Sequence, residues 1–324
     1  MANAEAIELH YYLSGSAHSM DAFLRNRCEA ELLAIFQEVA TNLGIDVQIE
    51  AQALLEGGLR ETWKWIGENA PQLSVIVPVV AILLAHTPDI IESEQDVLNK
   101  ELTELSIKEK KLQINKLKQE MKDLNPKSEP VVLKKAVELL KQNPKIVVRR
   151  SNFYKGLSDN ITIESIGIVP LDSNNLPKNP EKKVLRKNFR HFVLSSQALK
   201  PIVIDDAEIE VVSPVLREGN YKWKGIYEGR LIGFTMHDKH FKNQVMREEI
   251  TFQHGTFLEC VLTVHRKLDE VGEIEVTGYE VSTVIRKYDD RQSVETSQGH
   301  TYKQIKQRKE SQLVMFNKSN KKPT

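Results

Sequence analysis

The chain has almost no cysteine: Cys28 and Cys260 are the two in 324 residues, and no Cys-x-x-Cys pair exists. That excludes a disulfide framework and a zinc ribbon, and it points to a reducing compartment, the cytoplasm. Net charge is lacking too. Basic and acidic residues balance at 45 each, so no global field draws the protein to nucleic acid. Long apolar runs are absent. The longest, "LSVIVPVVAILLA" from Leu73 to Ala85, falls short of the roughly 20 residues a membrane-crossing helix needs. It reads as a buried helix kinked or started near Pro78; the alternative is a helix that touches a membrane or lines an oligomer interface. The N-terminus "MANAEAIELHYYL" lacks the basic and continuous apolar regions of a signal peptide. No Walker loop, GxGxxG or GxSxG occurs. With no such loop and no visible catalytic constellation, the expectation leans away from an enzyme, and no cofactor is implied.

What is present divides into segments. Residues 1–92 open with "AIELHYYL", a short strand. Ser19 is a candidate N-cap for a helix whose stripe is Met20, Leu24, Cys28, Leu32, Ile35, Phe36, Val39 and Leu43, closed by Gly44. "IDVQIEAQAL" alternates as a second strand, giving a strand–helix–strand crossover in a small α/β layer. "EGGLRETWKWIGENAPQ" reads as a break leading to the apolar segment. Residues 93–124 hold no Gly or Pro and repeat Leu98, Leu105 and Leu112 at sevens, with Ile107, Ile114 and Met121 in a second phase. That predicts a long helix with one sticky face, a candidate for coiled-coil self-association, and so a homo-oligomer. The alternative is a connector packed on its own domain. Residues 125–144 are a linker and a short amphipathic helix.

Residues 145–290 read as β-rich. Alternating runs such as "KIVVRR", "AEIEVVSPVL", "RLIGFTM" and "EIEVTGYEVSTVIRKY" are separated by turn signals. An antiparallel barrel or sandwich is expected, with a five- or six-stranded meander over 208–288. The polar, lysine-rich residues 291–324 read as disordered, with "LVMF" as one apolar nub. The fold class is therefore α+β.

Binding residues are sought where basic and aromatic side chains mix. In "EGNYKWKGIYEGRLIGFTMHDKHF", Lys222, Lys224, Tyr227, Asp238 and His240 are candidate ligand-binding residues. Strand alternation sends Trp223 to the core and the lysines to solvent. His237 and His240 are two histidines without a third ligand nearby in sequence, so no metal site is assigned. Arg149, Arg150, Lys182, Lys183, Arg186, Lys187 and Arg190 are candidate phosphate contacts for a nucleic acid. Arg186-Lys187-x-x-x-His191 resembles the Arg-polar-x-x-x-His motif of HEPN ribonucleases, but that family is a helical bundle and this region reads as β.

The strand "AIELHYYL", the helix "SMDAFLRNRCEAELLAIFQEVA", the strand "DVQIEA" and "EGG" before the apolar helix resemble TRADD-N-type modules of bacterial conflict and phage-defence systems. That resemblance, over residues 7–92, implies assembly or membrane proximity for the N-terminal module. The resulting expectation is a bacterial assembly and recognition protein, oligomeric through residues 1–124, that binds a ligand or protein partner through 145–290. The alternatives are a nucleic-acid binder using the basic patches and tail, and a hydrolase or nuclease with an unrecognised site.

Overall fold

The structure is a computed structural model that describes residues 3–15, 19–52, 59–85 and 104–319. It is α+β and divides into two compact units. One is residues 1–199 with 268–274, and the other is 200–267 with 275–324.

The first unit is a five-stranded sheet in the order β2-β3-β1-β4-β5. The strands are β1 (Asn3–Leu13), β2 (Gln48–Ala51), β3 (Leu59–Gly67), β4 (Ile163–Leu171) and β5 (Lys182–Leu185), and all pairings are antiparallel. The helix α1 (Ala22–Leu43) joins β1 to β2. Both strands run antiparallel to β3, so they are parallel to each other and form the expected crossover with β3 between them. Asp21, not Ser19, caps α1, accepting from Leu24 N at 2.8 Å, and Gly44 ends it with φ of 68°. β3 falls where only a break was expected. It alternates Leu59, Glu61, Trp63 and Trp65 toward the core, opposite Tyr11, Leu9, Ile7 and Glu5 of β1.

The apolar segment forms α2 (Ala70–Ala85), whose residues Leu73, Val75, Ile76, Val77, Val79, Val80, Ala81, Leu83 and Leu84 are all buried. The segment 73–85 is thus buried in this unit's core, and among the described residues no helix is long and apolar enough to cross a membrane. The physical reason is supply of partners: β1, β3, β4 and α4 surround the helix, so its apolar surface is spent within the chain.

Residues 93–103 lie outside the described residues. The rest of that segment forms α3 (Glu104–Lys122), followed by α4 (Glu129–Leu140). Leu117 and Met121 of α3 are buried in the same core while Leu112 is exposed. The described part of the helix packs on α4 and α1, and self-association through this segment stays an expectation. "KIVVRR" is not a strand. It lies in α5 (Pro144–Asp159), because Asn143 accepts from the Lys145 and Ile146 amides and Pro144 starts the helix. Burial of Ile146, Phe153, Tyr154 and Leu157 then outweighs the β-branched composition. β4 and β5 also belong to the first unit's sheet, so the compact β-rich unit begins near residue 200 and not at 145. "RKNF" is a short helix, α6 (Arg186–Phe189), followed by a 3-10 turn.

The second unit is a closed five-stranded barrel. Its strands are β6 (Ala198–Ser213), β7 (Trp223–Tyr227), β8 (Arg230–Met236), β9 (Phe257–Leu268) and β10 (Ile274–Tyr288). The order β10-β8-β7-β6-β9 closes by pairing of β10 with β9, and the short β11 (Ser293–Glu295) adds to the outer edge of β10. β8 pairs β10 in parallel. A meander is therefore corrected to a Greek-key closure, in which the chain crosses from β8 to β9 beside β6 and β10 returns beside β8. Trp223, Phe234, Phe241, Leu258, Cys260, Leu262, Val281 and Val284 fill the interior. α7 (Lys239–Met246) links β8 to β9. The tail is not a structureless segment: α8 spans Ser297–Ser319. Thr296 caps it, accepting from Gly299 N at 2.9 Å, and Tyr302 donates to Asp205.

Candidate functional site

The antiparallel register of β7 and β8 decides which side chains share a face. Trp223 pairs Phe234, Lys224 pairs Gly233, Gly225 pairs Ile232 and Ile226 pairs Leu231. Trp223 and Phe234 are fully buried, so the row Lys224–Gly233 and the row Ile226–Leu231 face outward. On β10, Tyr279 pairs Phe234, and Gly278 and Gly233 each precede that pair by one residue on parallel strands. The two glycines therefore lie side by side on the outer face.

Glycine in a strand interior is unfavourable unless space demands it. The barrel shows both situations. A Cβ on Gly225 would meet Ile209 Cγ2 at 2.4 Å, so close packing inside the barrel requires that glycine. A Cβ on Gly278 would meet nothing within 4 Å, and one on Gly233 would meet only the Lys222 Cδ and the Trp223 carbonyl oxygen, at 3.7 and 3.9 Å. Internal packing explains neither. Together they leave a floor of backbone with no side chain of its own on an exposed face, bordered over Gly233 by the Lys222 chain.

Around the floor stand chemically distinct walls. Lys222 runs past Gly233, and Lys224 stands beside it. Neither lysine has an ion-pair partner among the described residues. Leu231 is 67% exposed and Val276 is 43% exposed; both lie three residues before the Phe234–Tyr279 pair and make an apolar shelf with Ile226. Tyr221 is half exposed in the preceding loop, with the Arg217 guanidinium 5.4 Å from its ring centroid. At the Lys222 end, away from that shelf, Glu280 pairs Thr235 and sits with Oε1 3.5 Å from His237 Nε2 and Oε2 3.1 Å from His265 Nε2. The imidazoles, His265 first, hold its carboxyl below the usual range.

The candidates from sequence separate on this surface. Lys222 and Lys224 share the face. Tyr227 points to the opposite side of β7, toward the barrel interior near Tyr279 (ring centroids 6.4 Å apart), with its hydroxyl on Glu228. Asp238 is buried and structural: it caps α7 through Phe241 N at 2.9 Å and accepts from Val284 N at 2.8 Å and Gln298 Nε2 at 3.1 Å. His240 is exposed on the first turn of α7.

The second set disperses too. Arg149 pairs Glu31 at 3.1 Å. Arg150 is buried and donates to the Leu83 carbonyl at 2.6 Å, closing the end of α2. Arg186 donates to the carbonyls of Ser158, Asn160 and Ile163, where α5 gives way to β4. Lys182 and Lys183 are neighbours on the edge strand β5, with Lys183 on the sheet face away from the helices. Lys187 and Arg190 are exposed on α6 and the turn after it. Gly233, Gly278, Tyr221 and Leu231 were not among the expected residues. The signal for the two glycines was glycine inside an alternating strand pattern, in "RLIGFTM" and "EVTGYEV".

Among the described residues, no group of three His, Cys, Asp or Glu is arranged to hold a metal ion. No family model, no curated protein and no solved structure matches this chain, so the likeness of residues 7–92 to TRADD-N-type modules stands as an expectation.

Proposed function

We propose that the barrel is a recognition domain that binds single-stranded nucleic acid across the outer face of β7, β8 and β10. The observation that carries this reading is the pair of glycines that packing does not require, Gly233 and Gly278, flanked by Lys222 and Lys224, which have no ion-pair partner among the described residues. A bare backbone floor admits the flat face of a base or a close-lying strand. Lys222 and Lys224 supply phosphate contacts, and Tyr221 and Leu231 supply surface for bases to rest on. The architecture favours the same face: small five-stranded Greek-key barrels of the oligonucleotide- and oligosaccharide-binding kind use their second and third strands, here β7 and β8. Fold alone would not suffice; the side chains on that face make the argument.

Two phosphate contacts on a single strand predict a log–log salt slope near −1.4, at about 0.7 per contact. Titration of a fluorescent oligonucleotide into the full chain at several salt concentrations measures it. Lys224→Ala should weaken binding for all sequences alike and flatten the slope by about 0.7. A slope unchanged by that substitution would remove Lys224 from the interface.

A further inference from the structure

A second constellation lies in the first unit, on the face of its sheet away from the helices. The register places one transverse row across four strands. Arg60 of β3 pairs His10 of β1, His10 pairs Gly167 of β4, and Gly167 pairs Lys183 of β5. Three basic side chains thus share a row whose fourth position has no side chain. The Glu181 carboxylate fills that gap. It lies so close over Gly167 that a Cβ there would stand 1.8 Å from Glu181 Oε1. Its Oε2 accepts from the Tyr12 hydroxyl at 2.8 Å, and Oε1 is 4.0 Å from His10 Nδ1. The Lys183 ammonium sits 3.6 Å from the Tyr12 ring centroid, and the His10 and Tyr12 rings are 3.9 Å apart. Arg60 is shared with Glu8 at 3.2 Å.

We infer that this row is a binding site for a phosphate group, occupied in the present structure by the Glu181 carboxylate as an internal stand-in. A site made for one carboxylate would be neutralised by it. Here Lys183 has no carboxylate partner among the described residues. His10 is still held below its ordinary value, by burial first and then by Arg60, with Lys183 adding and Glu181 opposing without cancelling them. A dianionic phosphate would take over the Tyr12 hydroxyl and meet Arg60, His10 and Lys183 together, a match of charge and donor geometry that a single carboxylate provides only in part. Glu181 itself sits just before β5, at the end of the segment linking β4 to β5, with its side chain one-third exposed, so it can swing away without disturbing the sheet.

An internal occupant lowers apparent affinity by the fraction of time the site is free. Calorimetric titration of inorganic phosphate into the full chain tests this. Glu181→Ala should bind phosphate at least tenfold more tightly than the wild type, and adding Lys183→Ala or Arg60→Ala should abolish that gain. Glu181→Gln keeps the bulk without the charge and should show a smaller gain, which also serves if the alanine variant folds poorly. Acetate should bind the Glu181→Ala chain more weakly than phosphate. No gain in either Glu181 variant, a gain that survives loss of Lys183, or acetate matching phosphate would each overturn the inference.

Discussion

Single residues show most clearly how space and charge are allotted. Gly225 and Gly233 sit one pair apart on neighbouring strands yet answer to different demands. Gly225→Ala would push a Cβ to 2.4 Å from Ile209 Cγ2 and 2.8 Å from the Glu210 carbonyl. Overpacking of this kind costs about 1–3 kcal/mol, and urea titration should show that loss. The Lys287–Asp289 pair, with both side chains buried and Nζ 2.7 Å from Oδ2, carries a pH signature. The bond from Lys287, helped by the Arg291 and Gln292 amides, holds the Asp289 carboxyl well below its ordinary 3.8. A depressed folded-state value means stability that is present above the ordinary value and lost as pH falls toward the folded one. Unfolding midpoints measured from pH 7 down to strong acid should therefore show Asp289→Asn less stable than wild type at neutral pH, with the gap closing in acid below the ordinary carboxylate range. Cys28 and Cys260 behave oppositely: burial raises both thiols to about 12, so neither is a reactive thiolate at neutral pH.

Whole elements show what composition hides. The alternation of "AEIEVVSPVL" and the 3.6-residue stripe of α1 were legible because each element buries one face, and periodicity reports faces. β3 was equally periodic, at Leu59, Glu61, Trp63 and Trp65, but charged neighbours and the glycines before it masked the pattern. "KIVVRR" failed for the opposite reason: its composition favours a strand, whereas Asn143 and Pro144 nucleate a helix and the core rewards it. The lysines of the candidate site could be named from sequence. The floor could not, because only the parallel pairing of β8 with β10 brings Gly233 and Gly278 together. The tail helix α8 was missed because its anchoring groups are polar: Thr296, Gln298, Tyr302 and Lys306 bond to β10, Asp238, Asp205 and Asp206. Its close approach depends on Gly299, where a Cβ would stand 2.3 Å from the Ile285 carbonyl oxygen. Gly299→Ala should undock the first turns of α8, seen as faster amide hydrogen exchange over residues 298–306 and a lower Tm.

At the scale of the molecule, the two units carry different chemistry. The first surrounds the apolar α2 with helices and sheet and keeps a row of basic side chains on its far face. The second is a small closed barrel with charged and apolar groups arranged around a bare patch of backbone. The overall balance of 45 basic and 45 acidic residues conceals both, because a net charge averages over surfaces that meet different ligands. The central claim is that the bare patch exists for a ligand. Replacing Gly233 and Gly278 with valine puts β-branched side chains on exposed strand positions, where they strengthen a strand by roughly 0.5–1 kcal/mol each. The decisive measurement is single-stranded oligonucleotide affinity of the Gly233→Val, Gly278→Val double variant, with Tm recorded alongside. The account predicts an unchanged or raised Tm together with at least a tenfold loss of affinity; a variant that binds as the wild type does would contradict it.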